Sequence, residues 1–160
     1  MQDGEAFISI FARNCSARKI NKRLAEEFLS LHHRLGYTNC RYFYGLFIEK
    51  TGKTPFEKDF LAAVAGFSGA RRWKKGEKLI SSYEWIRYAS FPGTRVIGGM
   101  GKLLKAFIED VRPDDIMSYA DKAWSEGDVY KKLGFKEDGL KIFDNGGESI
   151  KFRLKISEYE

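Results

Sequence analysis

The stretch FPGTRVIGGMGKLLKAFIEDV, from Phe91 to Val111, constrains the fold more than any other in the chain. Met100, Leu103, Leu104, Phe107, Ile108 and Val111 recur at helical spacing as one apolar stripe, and Pro113 ends it. Such a stripe must be buried against a sheet or another helix. Directly before it stand Gly98, Gly99 and Gly101, with Arg95 and Lys102 beside them. Without Cβ atoms, glycines let backbone approach a ligand closely. The amides of the following first turn lack intrahelical acceptors, and the helix dipole adds partial positive charge there. The segment therefore predicts an anion site at a helix N-terminus. Two familiar phosphate loops do not fit. A Walker loop needs Ser or Thr after Gly-Lys, where Leu103 stands, and a glycine where Val96 stands. The dinucleotide fingerprint needs a further glycine at a spacing the chain lacks.

The remaining elements predict a sheet for this helix to cover. Ala6–Ala12 alternates like a strand, and Ser16 can cap a helix carrying Ile20, Leu24, Phe28, Leu31 and Leu35, with Gly36 as its stop. Residues 41–50 are aromatic and β-branched, hence a strand, followed by a polar loop over 51–59. Residues 60–68 form a more buried strand that leads into a basic hairpin, and 79–91 return as a long strand. After the glycine helix come a short strand over Asp115–Asp121 and a short helix over 125–135, with Ser125 as cap and Gly134 as stop. A terminal hairpin over 140–156 turns at Asp144–Gly147. The order β-α-β-β-β-α-β-α-β-β predicts a mixed α/β fold in one domain of 160 residues, long enough for a full core.

Charge narrows the partners. The net charge of +6 favours anions, and it is concentrated. Arg71, Arg72, Lys74, Lys75 and Lys78 stand against Glu77 alone, a surplus of four around Trp73. Cations flanking an indole can neutralise phosphates while the ring stacks on a base, or can keep a hairpin tip soluble. Cys15 and Cys40 form neither a metal-type pair nor a disulfide framework, and His32 and His33, without an accompanying ligand motif, read as helix surface. With no apolar run near the roughly 20 residues of a membrane span, and no signal-peptide pattern at the N-terminus, the expectation is a reduced cytoplasmic protein with no membrane partner.

Pro92, Arg95, Gly98, Gly99, Met100, Gly101 and Leu104 resemble the pyrophosphate loop of the GNAT acetyltransferase superfamily, with the loop lengthened by one residue. Residues 128–136, DVYKKLGFK, resemble that superfamily's Tyr-x-x-Leu-Gly-Phe segment, and the two motifs cover residues 83–136. The phrase SYADKAWSEGDVYKKLGF is similar to domains of the Mom-like DNA-modification group of phage and bacterial proteins. The resemblance implies a mixed, mostly antiparallel sheet with splayed middle strands and helices on both faces. It implies coenzyme A or an acyl-CoA as partner, held by Arg95, Val96, Gly98, Gly99, Met100, Gly101 and Lys102. Backbone amides at Ala89, Ser90 and Phe91 would bind the pantetheine arm, and Tyr130 would protonate the departing thiolate. For the base that receives the amine proton, Asp121 is preferred over Glu84 because its strand end opens toward the splayed site. In place of an asparagine common in that family the chain has Ala123, followed by Trp124, Ser125 and Glu126.

Two functions follow. One is transfer of an acyl group from acyl-CoA to an amine of unknown identity. The other keeps the same scaffold for a nucleic acid, modifying a base or binding, with Arg71, Arg72, Trp73, Lys74 and Lys75 as the contact surface.

Overall fold

A computed structural model describes residues 7–122 and 127–158. Ala6, Ala123, Trp124, the proposed cap Ser125 and Glu126 lie outside the described residues. In chain order the elements are β1 (Ile8–Phe11), a 3-10 turn (Ala12–Asn14), β2 (Cys15–Lys19), α1 (Lys22–His32), β3 (Tyr42–Ile48) and β4 (Leu61–Phe67). They continue with β5 (Arg71–Lys75), β6 (Lys78–Ser90), β7 (Thr94–Ile97), α2 (Gly99–Val111) and β8 (Asp115–Asp121), then α3 (Asp128–Lys132), β9 (Lys136–Ile142) and β10 (Glu148–Lys155). The architecture is mixed α/β, a mostly antiparallel sheet with helices packed on both faces. The chain divides into two compact units, one up to Phe67 plus Arg87–Val111, the other Ser68–Ile86 plus the chain from Arg112 onward.

In the first unit β2, β3 and β4 form an antiparallel ladder, and β1 pairs in parallel with β7. The apolar stripe of α2 supplies the core: Leu103, Leu104 and Phe107 are buried. Phe107 stacks on Phe67 with ring centroids 4.0 Å apart and meets Tyr42 and Tyr44 edge-on. Burying one such ring stabilises the fold by about 1.5–3 kcal/mol. The Tyr44 hydroxyl donates to Asp110 (2.6 Å), tying the far end of α2 to β3.

Two strands depart from the expectation. Residues 15–19 form β2 and not the start of a helix, and Ile20 still donates its amide to Phe43. The cap of α1 is Asn21, whose Oδ1 accepts the Leu24 amide at 2.9 Å, not Ser16. The helix ends at His32, which leaves Leu35 outside it; Leu31, inside it, and Leu35 are 75% and 56% exposed and do not extend its buried stripe. Thr94–Ile97 is strand β7, inside the segment expected to be a glycine loop. Its pairing with β1 lies more than 80 residues away in sequence, as Ile8 opposite Thr94, beyond the reach of a local pattern.

In the second unit β5 pairs β6, β6 pairs β8 in parallel, and β8, β10 and β9 follow as antiparallel neighbours. The β6–β8 ladder has only three pairs, from Ser82/Asp115 to Glu84/Met117. β8 runs on to Asp121, still paired with β10 at Ser149. Beyond Met117 its β6-facing edge thus leaves the ladder, the expected splay of the middle strands.

Candidate active site

In the first unit the turn from β7 to α2 is short, a single residue, Gly98, whose carbonyl accepts the first helical bond from Lys102 (3.1 Å). The amides of Gly99, Met100 and Gly101 therefore form the open first turn of α2. Gly99 is buried, and a Cβ there would stand 2.7 Å from Val96 Cγ1 and 3.0 Å from the Tyr88 hydroxyl. Its lack of a side chain is thus required by packing as well as being open to a ligand. Lys102 does not extend toward the turn's mouth: its ammonium donates to the carbonyls of Ala12 and Cys15. It fastens α2 to the 3-10 turn, a role no sequence pattern signals. Arg95 is exposed on β7, its guanidinium over the Phe7 ring.

At the end of β6, Ala89 is buried and Ser90 half-buried. The Phe91 amide is already donated to Ala62 (2.8 Å), and its carbonyl accepts from the Thr94 hydroxyl at 2.6 Å. This corrects the expectation for Phe91, whose backbone groups are committed within the unit. The Phe91 ring meets Phe56, Phe60 and His32 edge-on. The histidines are not plain surface either. Both are half-buried, and His33 is lowered to about 4 by burial and by the nearby Arg87 and Arg34 charges.

In the second unit the Tyr-x-x-Leu-Gly-Phe spacing has a backbone cause. The Phe135 amide donates back to the Tyr130 carbonyl (2.9 Å) and the Gly134 amide to Lys131 (3.1 Å), a Schellman stop to α3. Gly134 holds the left-handed φ of 97° that the stop requires, and Phe135 is folded back so that its ring lies 5.4 Å from that of Tyr130. The Tyr130 ring also stacks on Phe152 and meets Trp85 edge-on. At the other end of α3, Gly127 has φ 83°, and a Cβ there would stand 2.3 Å from Phe152.

The Tyr130 hydroxyl lies 2.8 Å from Ser118 Oγ, which in turn lies 2.9 Å from the Trp85 carbonyl. A carbonyl only accepts, so Ser118 donates its one proton there and receives the Tyr130 proton on its oxygen. Burial raises the Tyr130 pKa above its ordinary value, so the phenol is protonated at neutral pH. Ser118 is a site residue the sequence reading missed. Its signal was its alternation with buried Ile116 and Ala120, a hydroxyl on an apolar face of β8 that had to find a partner.

Asp121, the last residue of β8, leaves the strand on the face of Met117 and Tyr119, opposite Ser118. The strand pleat therefore does not bring it to the Tyr130 hydroxyl. Glu84 shares the face of Asp121, in register with Met117. The basic ribbon is exposed along all of β5, but its cations are split between its two faces. Arg71, Trp73 and Lys75 lie on one and Arg72 and Lys74 on the other. Trp73 is 37% exposed, with its indole N–H donated to Ser82 Oγ at 2.8 Å. Among the described residues no helix is long and apolar enough to cross a membrane.

By sequence the chain matches no protein-family profile and no curated protein. By structure it is similar to a chain of the NatC complex bound to Gag peptide and CoA, with TM-score 0.62 and 15% identity, covering 90% of this chain and 99% of that one. It is similar to a histone acetyltransferase HPA2-related acetyltransferase from Corynebacterium glutamicum, with TM-score 0.59 and 12% identity, covering 91% and 98%. It is also similar to a GNAT-family acetyltransferase from Bacillus cereus, with TM-score 0.52 and 12% identity, covering 90% and 99%. The fold is that of the GNAT acetyltransferases.

Proposed function

We propose that the chain is an acyl-CoA-dependent N-acyltransferase acting on an amine. The observation that carries this reading is the hydrogen-bonded series from Tyr130 through Ser118 to the Trp85 carbonyl, which holds a protonated phenol beside the splayed edge of β8. The substrate thioester supplies an activated acyl group. The amine adds to the acyl carbon and Asp121 takes the proton lost by nitrogen; as the carbon–sulfur bond then breaks, Tyr130 turns its one proton from Ser118 to sulfur. The amides of Gly99, Met100 and Gly101 bind the diphosphate, drawing on their open donors and the α2 dipole. The Ser90 amide, which points to the side of β6 opposite that of Phe91, binds the pantetheine arm.

Thermal unfolding with CoA tests the ligand. At about 100 times its Kd, CoA stabilises a single-site protein by about 2.7 kcal/mol. Gly101→Asp separates binding from folding: a carboxylate in the first turn favours the helix but repels a diphosphate. The variant should keep its ligand-free stability and lose the CoA shift; an unchanged shift refutes the diphosphate assignment. Tyr130→Phe should keep the CoA shift while turnover falls about 10²- to 10⁴-fold.

A second reading, a nucleic-acid-directed protein of Mom-like type, is favoured by one observation, the unbroken exposure of Arg71–Lys75. Because the cations divide between two ribbon faces, duplex DNA on one face meets two of them. The salt slope from the hairpin would then be about −1.8 in log K against log salt, from about −0.9 per phosphate. No measurable binding at low salt rejects this reading.

A further inference from the structure

Between the strands that carry the basic ribbon, the second unit contains a cleft of about 300 Å³. A bulge makes it. Ser68 pairs with Glu84, donating its amide to the Glu84 carbonyl and accepting the Glu84 amide on its hydroxyl, both at 2.8 Å. The next pair is Arg71 with Ser82. Gly69 and Ala70 thus stand opposite Tyr83 alone, one residue too many on that side, and the extra residue bends the ribbon away from the sheet.

The cleft lies on the sheet face opposite Ser118 and is bounded by Arg71, Ser82, Glu84 and Met117. Its chemistry is bipolar. Arg71 brings a guanidinium that enters no ion pair among the described residues, whereas Arg153 on the same face is already held by Asp115 at 2.9 Å and Asp138 at 2.8 Å. Glu84 brings a carboxylate. Both charges reach one phenol: burial does most to raise the Tyr119 pKa, Glu84 adds to the rise and Arg71 opposes it. Ser82 Oγ accepts the Trp73 indole proton, which leaves the Ser82 proton for donation. A polyanion is poorly served by a cleft with a carboxylate in its wall, and a simple cation is poorly served by Arg71. A small molecule carrying both charges satisfies both walls.

We infer that this cleft recognises the acceptor as an amino-carboxylate, a small molecule with a free amine and a carboxylate, Arg71 holding the carboxylate and Glu84 the ammonium. The inference rests on the acyltransferase reading, since it names that reaction's acceptor. Arg71 is then a specificity residue and not part of a nucleic-acid surface. Guanidinium and carboxylate pair through two parallel hydrogen bonds, so the anchor discriminates strongly against a neutral amide.

The test is amide-resolved NMR titration of the full chain with free α-amino acids, one at a time, alongside their carboxamides and their N-acetyl derivatives. At least one amino acid should shift the amides of Ser82, Glu84 and Met117, and its carboxamide should bind about 10- to 100-fold more weakly. Arg71→Ala should erase that discrimination and Arg71→Lys should restore part of it. Arg71 is exposed on β5, and unchanged spectra elsewhere will verify that each variant folds. The inference is overturned if no amino acid shifts these amides, if Arg71→Ala binds both forms as the parent does, or if only an oligonucleotide perturbs the cleft. CoA stabilisation without amino-acid binding overturns this inference and leaves the acyltransferase reading standing. Amino-acid binding in a chain that ignores CoA supports the recognition and removes the transfer reaction.

Discussion

Replacing Ser118 with Ala should unbalance the second unit in a way a double-mutant cycle can measure. Ser118 is 1% exposed, and its hydroxyl serves two partners, the Trp85 carbonyl and the Tyr130 hydroxyl. Alanine withdraws from both at once. A buried polar group left without its bond costs about 1–3 kcal/mol, so Ser118→Ala should lower stability by about that amount. Tyr130→Phe is milder. Ser118 keeps its bond to Trp85, and the ring contacts with Phe152, Phe135 and Trp85 persist, so the loss is about 0.5–1.5 kcal/mol. In the Ser118→Ala background, Tyr130→Phe removes a hydroxyl already deprived of its acceptor and should cost almost nothing. The two changes should therefore be less than additive by about 1 kcal/mol. Urea unfolding followed by circular dichroism for the four proteins gives the cycle. Additivity within about 0.5 kcal/mol would mean the two hydroxyls are not coupled, and the proton placement argued from them would fall.

Gly127→Ala should cost about 2–5 kcal/mol in the same assay, combining a left-handed φ with a Cβ driven into Phe152. Asn21→Ala should cost about 1 kcal/mol as the loss of a helix cap, whereas Ser16→Ala should stay within about 0.5 kcal/mol; the reverse order would return the cap to Ser16. Burial pushes Tyr88 from 10 up to about 12. The unfolded chain ionises this phenol first, so the stability it contributes is intact below pH 10 and is lost as pH rises toward 12, by about 2–3 kcal/mol. Tyr88→Phe should flatten that alkaline decline in pH-dependent urea unfolding, and an unaltered slope would show that the decline comes from other groups.

The elements legible in the sequence were those with strong local periodicity. The α2 stripe, the aromatic β3 and the buried β4 all lie where the pattern placed them. The terminal hairpin turns at Asp144–Gly147, where Asn145 Oδ1 accepts the Gly147 amide. What escaped was decided at long range. CSARK carries no strand signal and TRVI only its β-branched Thr94, Val96 and Ile97; their partners, β3 and β1, supply the reason they are extended. The same holds at the candidate site. Tyr130 and the glycines were legible through motif spacing. The destination of the Lys102 ammonium, the commitment of the Phe91 amide and the opposite faces of Asp121 and Ser118 are properties of the assembled strands.

The backward bond from the Phe135 amide to the Tyr130 carbonyl divides the Tyr-x-x-Leu-Gly-Phe segment into two inheritances. Glycine and phenylalanine serve the backbone, ending a short helix and folding a ring beneath it. The tyrosine's hydroxyl, bonded to Ser118, is the group of this segment that the proposed reaction uses. Selection for a stable chain and selection for a working proton donor can therefore drift apart at this segment. A descendant with phenylalanine at position 130 and Leu-Gly-Phe intact should keep the fold and, under the proposed reaction, turn over about 10²- to 10⁴-fold more slowly. One that loses the glycine should be less stable by about 1–2 kcal/mol, the cost of a side chain in the left-handed conformation. Under the proposed reaction, the residue at position 130 would separate fast transferases from slow ones.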